Sequence, residues 1–210
     1  MNRIFLLSPA HSGGKRARFI SNPKASFELA HRLQKGGTAS IGEIFSFLSG
    51  LYFRGKLTYA NAFARAPLGV APAQVITSNR GLVDARMLFT LGELEALGTV
   101  NIDVNDSRYR DPLDRDVGAF ASTFPDCEVV LLGSVATGKY VDILLNHFRK
   151  RLLFPTDFVG RGDMSRGGLL LRSVADNREL PYAPVGGAVI RGNRPPRLPP
   201  IQRKTGQLNN

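Results

Sequence analysis

Glu128-Val129-Val130-Leu131-Leu132-Gly133-Ser134-Val135-Ala136-Thr137-Gly138-Lys139-Tyr140 reads as a strand, a glycine turn and a helix start in immediate succession. The run from Val129 to Leu132 has no polar alternation, which is the pattern of a strand covered on both faces. From Lys139 to Lys150 the apolar residues Val141, Leu144, Leu145 and Phe148 recur at helical spacing instead. Strand, tight turn and helix together form the repeating unit of a parallel sheet with right-handed crossovers. Working outward, residues 3–7, 74–77, 100–103 and 151–154 read as further strands, and residues 91–97 as a short helix. Asp111-Pro112 opens another helix, with proline in the first turn. Between the first strand and residue 74 lie three helices. One carries Phe27, Ala30 and Leu33 and closes at Gly36-Gly37; the next is capped by Ser40 with Glu43 at capping-box spacing; the third runs from Lys56 to Ala64. The expected fold is α/β, a Rossmann-like and mostly parallel sheet of about five strands flanked by helices, with a helical insertion after the first strand. Residues 169–174 and 180–185 are expected to add one or two strands at an edge.

Bulk properties bound the chain further. Its 210 residues are 43% hydrophobic, enough for a core, and residues 1–186 are read as a single domain. No stretch approaches the roughly 18 apolar residues of a membrane span, and Met1-Asn2-Arg3 leads into only a short apolar run, unlike a secretory signal. A single cysteine, Cys127, excludes an internal disulfide and a cysteine-based zinc cluster; a buried thiol in a reducing cytoplasm is expected. The three histidines, His11, His31 and His147, fall in different segments, so no metal site and no cofactor is expected. Lys and Arg number 28 against 17 Asp and Glu, a formal charge of +11 that favours polyanionic partners. Removing the five positive charges of the tail (Arg191, Arg194, Arg197, Arg203, Lys204) leaves residues 1–186 at +6. That tail, residues 187–210, is basic and proline-containing, expected to be extended or disordered, and a candidate docking segment for a protein partner.

Each apolar run stops at a polar loop, and in an open parallel sheet those loops share one edge, where ligands bind. The first loop supplies Ser8, His11 and Lys15 among glycines; the second supplies Asn79 and Arg80. Residues 133–139 match the phosphate-binding pattern G-x-x-x-x-G-K, with Ser134 and Lys139 as contacts. Tyr140 stands where an NTPase needs the Mg²⁺-binding Ser or Thr, and the match follows the fourth strand rather than the first. Asp103 opens a stretch like the start of an EF-hand but lacks its glycine and closing glutamate. At a strand end, Asp103 suits a ribose hydroxyl or a water, and Asp111 the cap of the next helix. Residues 154–168 are the densest polar-glycine run, with Asp157, Arg161, Asp163, Ser165 and Arg166. The arginines fork onto phosphate or carboxylate; Asp163 is either a base or a helix cap. Tyr52, Phe53 and Tyr59 interleave with Arg54 and Lys56, which suits either base stacking or a core helix with its cations turned outward.

Three segments together resemble a known group: Tyr52-Phe53-Arg54 with Tyr59-Ala60, then Val75-Ile76-Thr77-Ser78-Asn79-Arg80-Gly81-Leu82, then Gly138-Lys139-Tyr140 with Gly160-Arg161-Gly162. Their order is similar to that of uracil-DNA-glycosylase-like and YaaA-like domains, small bacterial α/β domains of nucleic-acid base modification. The cysteine-containing first loop of some relatives is here residues 8–15, without cysteine. The resemblance implies a nucleobase or nucleic-acid context.

The expected activity is cleavage or exchange of an N-glycosidic bond in a nucleotide or nucleic acid. Asp103 and Asp163 are the catalytic candidates. Ser8, His11, Lys15, Tyr52, Arg54, Asn79, Arg80, Ser134, Lys139, Tyr140, Arg161, Ser165 and Arg166 are the substrate-binding candidates. The alternatives are a non-catalytic nucleic-acid-binding subunit of a larger complex and a P-loop-like NTPase. No membrane partner is expected.

Overall fold

The structure is a computed structural model and describes residues 1–136, 138–189, 192–193 and 195–198. Much of the basic tail lies outside the described residues. Among the described residues, eight strands and eight α-helices follow in the order β1 (Arg3–Leu7), α1 (Lys15–Ser21), α2 (Glu28–Gln34), β2 (Ala39–Ser40), α3 (Ile41–Ser49), α4 (Leu51–Phe63), β3 (Ala73–Ile76), β4 (Leu82–Asp84), β5 (Leu88–Phe89), α5 (Leu91–Gly98), α6 (Ser107–Thr123), β6 (Glu128–Leu132), α7 (Gly138–Phe148), β7 (Leu152–Pro155), α8 (Asp163–Ala175) and β8 (Tyr182–Pro184). Six strands form one sheet in the order β4-β3-β1-β6-β7-β8. The inner four are parallel and the two edges antiparallel. The α/β class and mostly parallel sheet are as the sequence predicts.

The unbroken apolar strands follow from a sheet buried on both sides. Phe5 and Leu7 of β1 and Val130 and Leu132 of β6 face a core shared with α3, α4, α5 and α8. Ile4, Leu6, Val129 and Leu131 face the opposite core, filled by Tyr109, Leu113 and Val117 of α6 and by α7. Helices α4 and α8 touch along Gly55 and Gly167, where a Cβ on Gly167 would stand 2.8 Å from the Leu51 carbonyl oxygen. At the amino edge of the sheet Arg3 bonds to Glu128 (2.9 Å) and Glu179 (2.5 Å), and Arg65 also reaches Glu179. Cys127 is buried as expected. No helix among the described residues is long and apolar enough to cross a membrane.

Three expectations need correction. Residues 100–103 are not a strand: Val-Asn-Ile-Asp is apolar on one side only, and β3 and β6 already occupy both positions beside β1. Residues 169–174 belong to α8, because Gly167, Leu170 and Ser173 are buried at helical spacing against α4. Helix α6 begins at Ser107, capped by Asp106, whose carboxylate accepts from the Arg108 amide at 3.0 Å. Asp111 therefore lies inside that helix as an exposed partner of Arg110, and Pro112 removes one internal bond without ending it. Ser40 does cap α3, accepting from the Glu43 amide at 3.2 Å.

Candidate functional site

Strand β1 feeds a connection that ends at β3 on one side, whereas β6, its other neighbour, feeds α7 and β7 on the opposite side. The crevice at the carboxyl ends of β1 and β6 is thus the topological switch point, where open α/β sheets bind ligands. A cleft of 640 Å³ opens along this edge. It is lined by residues 9–13 after β1, Ser78 after β3, residues 97–98 and 100–104, Phe45 and Lys139.

Local contacts shape its walls. The loop after β1 passes close to the end of α5: a Cβ on Gly13 would meet the Gly98 carbonyl oxygen at 3.2 Å, and one on Gly98 would meet that of Ser12 at the same distance. The His11 ring folds over Gly14, where a Cβ would lie 2.9 Å from Cδ2. Ser78 Oγ donates to the Leu97 carbonyl at 2.5 Å and Asn79 Nδ2 to that of Ala96 at 3.0 Å, tying the end of β3 to α5. Asp103 Oδ1 accepts from both the amide (3.0 Å) and the side chain (3.1 Å) of Asn105, which fixes its carboxylate in the exposed wall. Lys139 projects from the first turn of α7. The amides of residues 10–13 find no acceptor among the described residues.

The cleft therefore brings together His11, Asp103 and Lys139 of the sequence-predicted residues, with Ser78 and the rest of the loop at residues 9–13 as additions. It does not gather the others. Lys15 lies exposed with its ammonium 6.0 Å from the Phe19 ring centre, and Arg54 is exposed on α4. Arg80 pairs with Glu93 at 2.9 Å and covers the Phe89 ring. The polar-glycine run is organised as the start of α8 rather than as an open loop. Arg161 donates to the Asp157 carbonyl and to Ser165 Oγ, and Arg166 to the Phe158 carbonyl, while Asp163 sits exposed in the first turn, 3.8 Å from Arg166. Asp103 and Asp163 do not line one cavity. The recess bordered by Arg166 and Gly133 holds only 10 Å³, too little for more than a single water.

Beside the cleft lies a buried polar cluster. Lys56, 1% exposed, donates to the Ser8 carbonyl (2.6 Å) and to Ser8 Oγ (2.9 Å), with its Nζ 4.6 Å from the Tyr52 ring centre. Burial lowers its pKa from 10.5 to about 7, opposed in part by the charge of Asp163. Tyr52 is buried, its hydroxyl lacks a hydrogen-bond partner among the described residues, and desolvation raises its pKa. Tyr140 turns inward so that its hydroxyl accepts from the Ser134 amide at 3.0 Å. That amide is consequently not free to cradle a phosphate, as a P-loop would require. A Cβ on Gly133 would stand 2.8 Å from Ser8 Cβ and 2.9 Å from the Tyr140 hydroxyl, so only glycine admits this packing.

The sequence reading missed Lys56 as a site residue, although one signal was present: it falls within the helical stripe Tyr52, Phe53, Tyr59 and Ala60, where an outward-facing lysine has no place. Comparison of the chain with family models, with curated proteins and with solved structures finds no match.

Proposed function

We propose that the protein binds a nucleotide, or a nucleotide unit of nucleic acid, in the switch-point cleft and cleaves or exchanges its N-glycosidic bond. The observation that carries this reading is the meeting of Asp103, Lys139, His11 and the loop of residues 9–13, whose amides at 10–13 have no acceptor among the described residues, in one 640 Å³ cleft, a volume typical of small-ligand sites. Lys139 and the loop amides suit a phosphate, and the Asp103 carboxylate, held by Asn105, suits the positive charge that grows on a sugar as its base departs. Asp163, outside the cleft, has no part in this chemistry. The resemblance to base-modifying domains points to the same substrate class.

Chromatographic detection of free base from nucleosides, nucleotides, DNA and RNA tests the reading. Release by the wild-type protein and its loss in a folded Asp103→Ala variant are expected. No release from any of the four substrates, or equal release by the variant, contradicts it.

A second reading, non-catalytic binding of nucleic acid, is favoured by the charge of +11 and by the exposed Lys15, Arg16 and Arg18 next to the cleft loop. In that case affinity falls steeply with salt and does not depend on Asp103.

A further inference from the structure

The fold spends a fully buried lysine on a serine. Lys56 has no carboxylate within ion-pairing distance among the described residues, and both oxygens it reaches belong to Ser8. As packing, an unbranched apolar side chain would fill the same space without desolvating an amine. The charged amine donates to the Ser8 hydroxyl at 2.9 Å; once neutral, it offers a proton acceptor at that same distance, the separation a serine nucleophile needs from its general base, and one closer than the Leu132 carbonyl to which Ser8 Oγ donates at 3.3 Å. Ser8 is also the last residue before the cleft-lining loop, retains 8% exposure, and packs closely on Gly133, where an added Cβ would stand 3.1 Å from its Oγ.

We propose that Ser8 is the nucleophile of an acyl-transfer reaction on a carboxylic ester, with Lys56 as its general base. Ser8 Oγ bonds to the ester carbonyl carbon as its proton passes to the neutral Lys56 amine. The bond to the leaving alcohol then breaks, and the departing oxygen takes the proton back from Lys56. Water attacks the acyl-serine, Lys56 receives its proton, and the Oγ–carbon bond breaks as Oγ is reprotonated. The net change is ester plus water to carboxylic acid plus alcohol. Burial supports the role by bringing the amine to about 7, where it is neutral and still basic near neutral pH. This activity uses neither Asp103 nor a nucleobase, so it is separate from the glycosidic reading.

Diisopropyl fluorophosphate, a small probe, tests the proposal on the full chain. The Oγ–phosphorus bond forms, the phosphorus–fluorine bond breaks, and the proton leaves through Lys56. One diisopropylphosphoryl group is expected on Ser8 by peptide mass mapping, absent in Ser8→Ala. The labelling rate should rise about tenfold per pH unit below pH 7 and level off above it, and Lys56→Met should lower it at least about a hundredfold and remove that profile. A folded wild-type protein that gains no adduct on Ser8, or a Lys56→Met variant labelled as fast as wild type, overturns the proposal. Neither outcome bears on base release, which is measured without the probe.

Discussion

Replacing Lys56 by methionine should stabilise the protein at acidic pH, by an amount that falls towards zero as the pH rises. Lys56 has a pKa lowered from 10.5 to about 7 by burial, so the unfolded chain binds its proton more tightly than the folded one. Between those two values the unfolded state holds more protons, and stability rises with pH as this burden is relieved. At or below pH 6 the shift of about 3.5 units corresponds to a penalty of roughly 5 kcal/mol in the wild type. By pH 9 it has fallen to roughly 2 kcal/mol. Methionine removes the penalty but leaves the Ser8 carbonyl without the lysine donor, a loss of about 1–3 kcal/mol that does not vary with pH. The variant should therefore gain roughly 2–4 kcal/mol over wild type at pH 6 and about 2–3 kcal/mol less than that at pH 9. Urea denaturation of both proteins at each pH measures the difference, in which the titration of all other groups cancels. A difference between the two proteins that is the same at pH 6 and pH 9 would mean that Lys56 titrates normally in the folded state and carries no such burden.

Other expectations follow from single contacts. Gly167→Ala places a Cβ 2.8 Å from the backbone of α4 and should cost about 1–3 kcal/mol in urea denaturation by forcing α4 and α8 apart. Tyr140→Phe leaves the Ser134 amide without its acceptor and should lower stability by about 1 kcal/mol, read in the same assay. Lys139→Ala, a change at an exposed side chain, should leave the melting temperature within a degree or two yet weaken calorimetric binding of a nucleoside monophosphate by roughly tenfold, about 1.4 kcal/mol.

The parallel core of the sheet was legible because strands buried on both faces carry unbroken apolar runs, as β1 and β6 do. Residues 100–103 misled because Val100 and Ile102 supply apolar character on one side only, which serves a cleft wall as well as a strand. Residues 169–174 misled for a related reason: three successive leucines mask the helical period that Gly167, Leu170 and Ser173 reveal once α4 is in place. At the site, loops that follow strands could be assigned to one edge, which gave His11 after β1 and Lys139 after β6; Asp103 was chosen as the end of a strand that does not form, and it reaches the cleft wall from the loop before α6 instead. Which of them share a cavity depends on strand order, and the chain does not spell that out. Asp163 and Arg166 belong to the end of β7, one strand further from the switch point, and their loop is closed by bonds within itself and by Arg161 donating to the Pro196 carbonyl. Lys56 was hidden by its chemistry, since a lysine is normally assigned to water and only the stripe around it argues otherwise.

Whether a nucleotide binds in the cleft at the ends of β1 and β6 can be read by amide chemical-shift mapping during titration with a nucleoside monophosphate at physiological salt. Saturable shifts concentrated in residues 10–13, Ser78, residues 97–104 and Lys139 are expected. Shifts spread over exposed arginines and the basic tail, or confined to the start of α8 around Arg161 and Arg166, would contradict binding there.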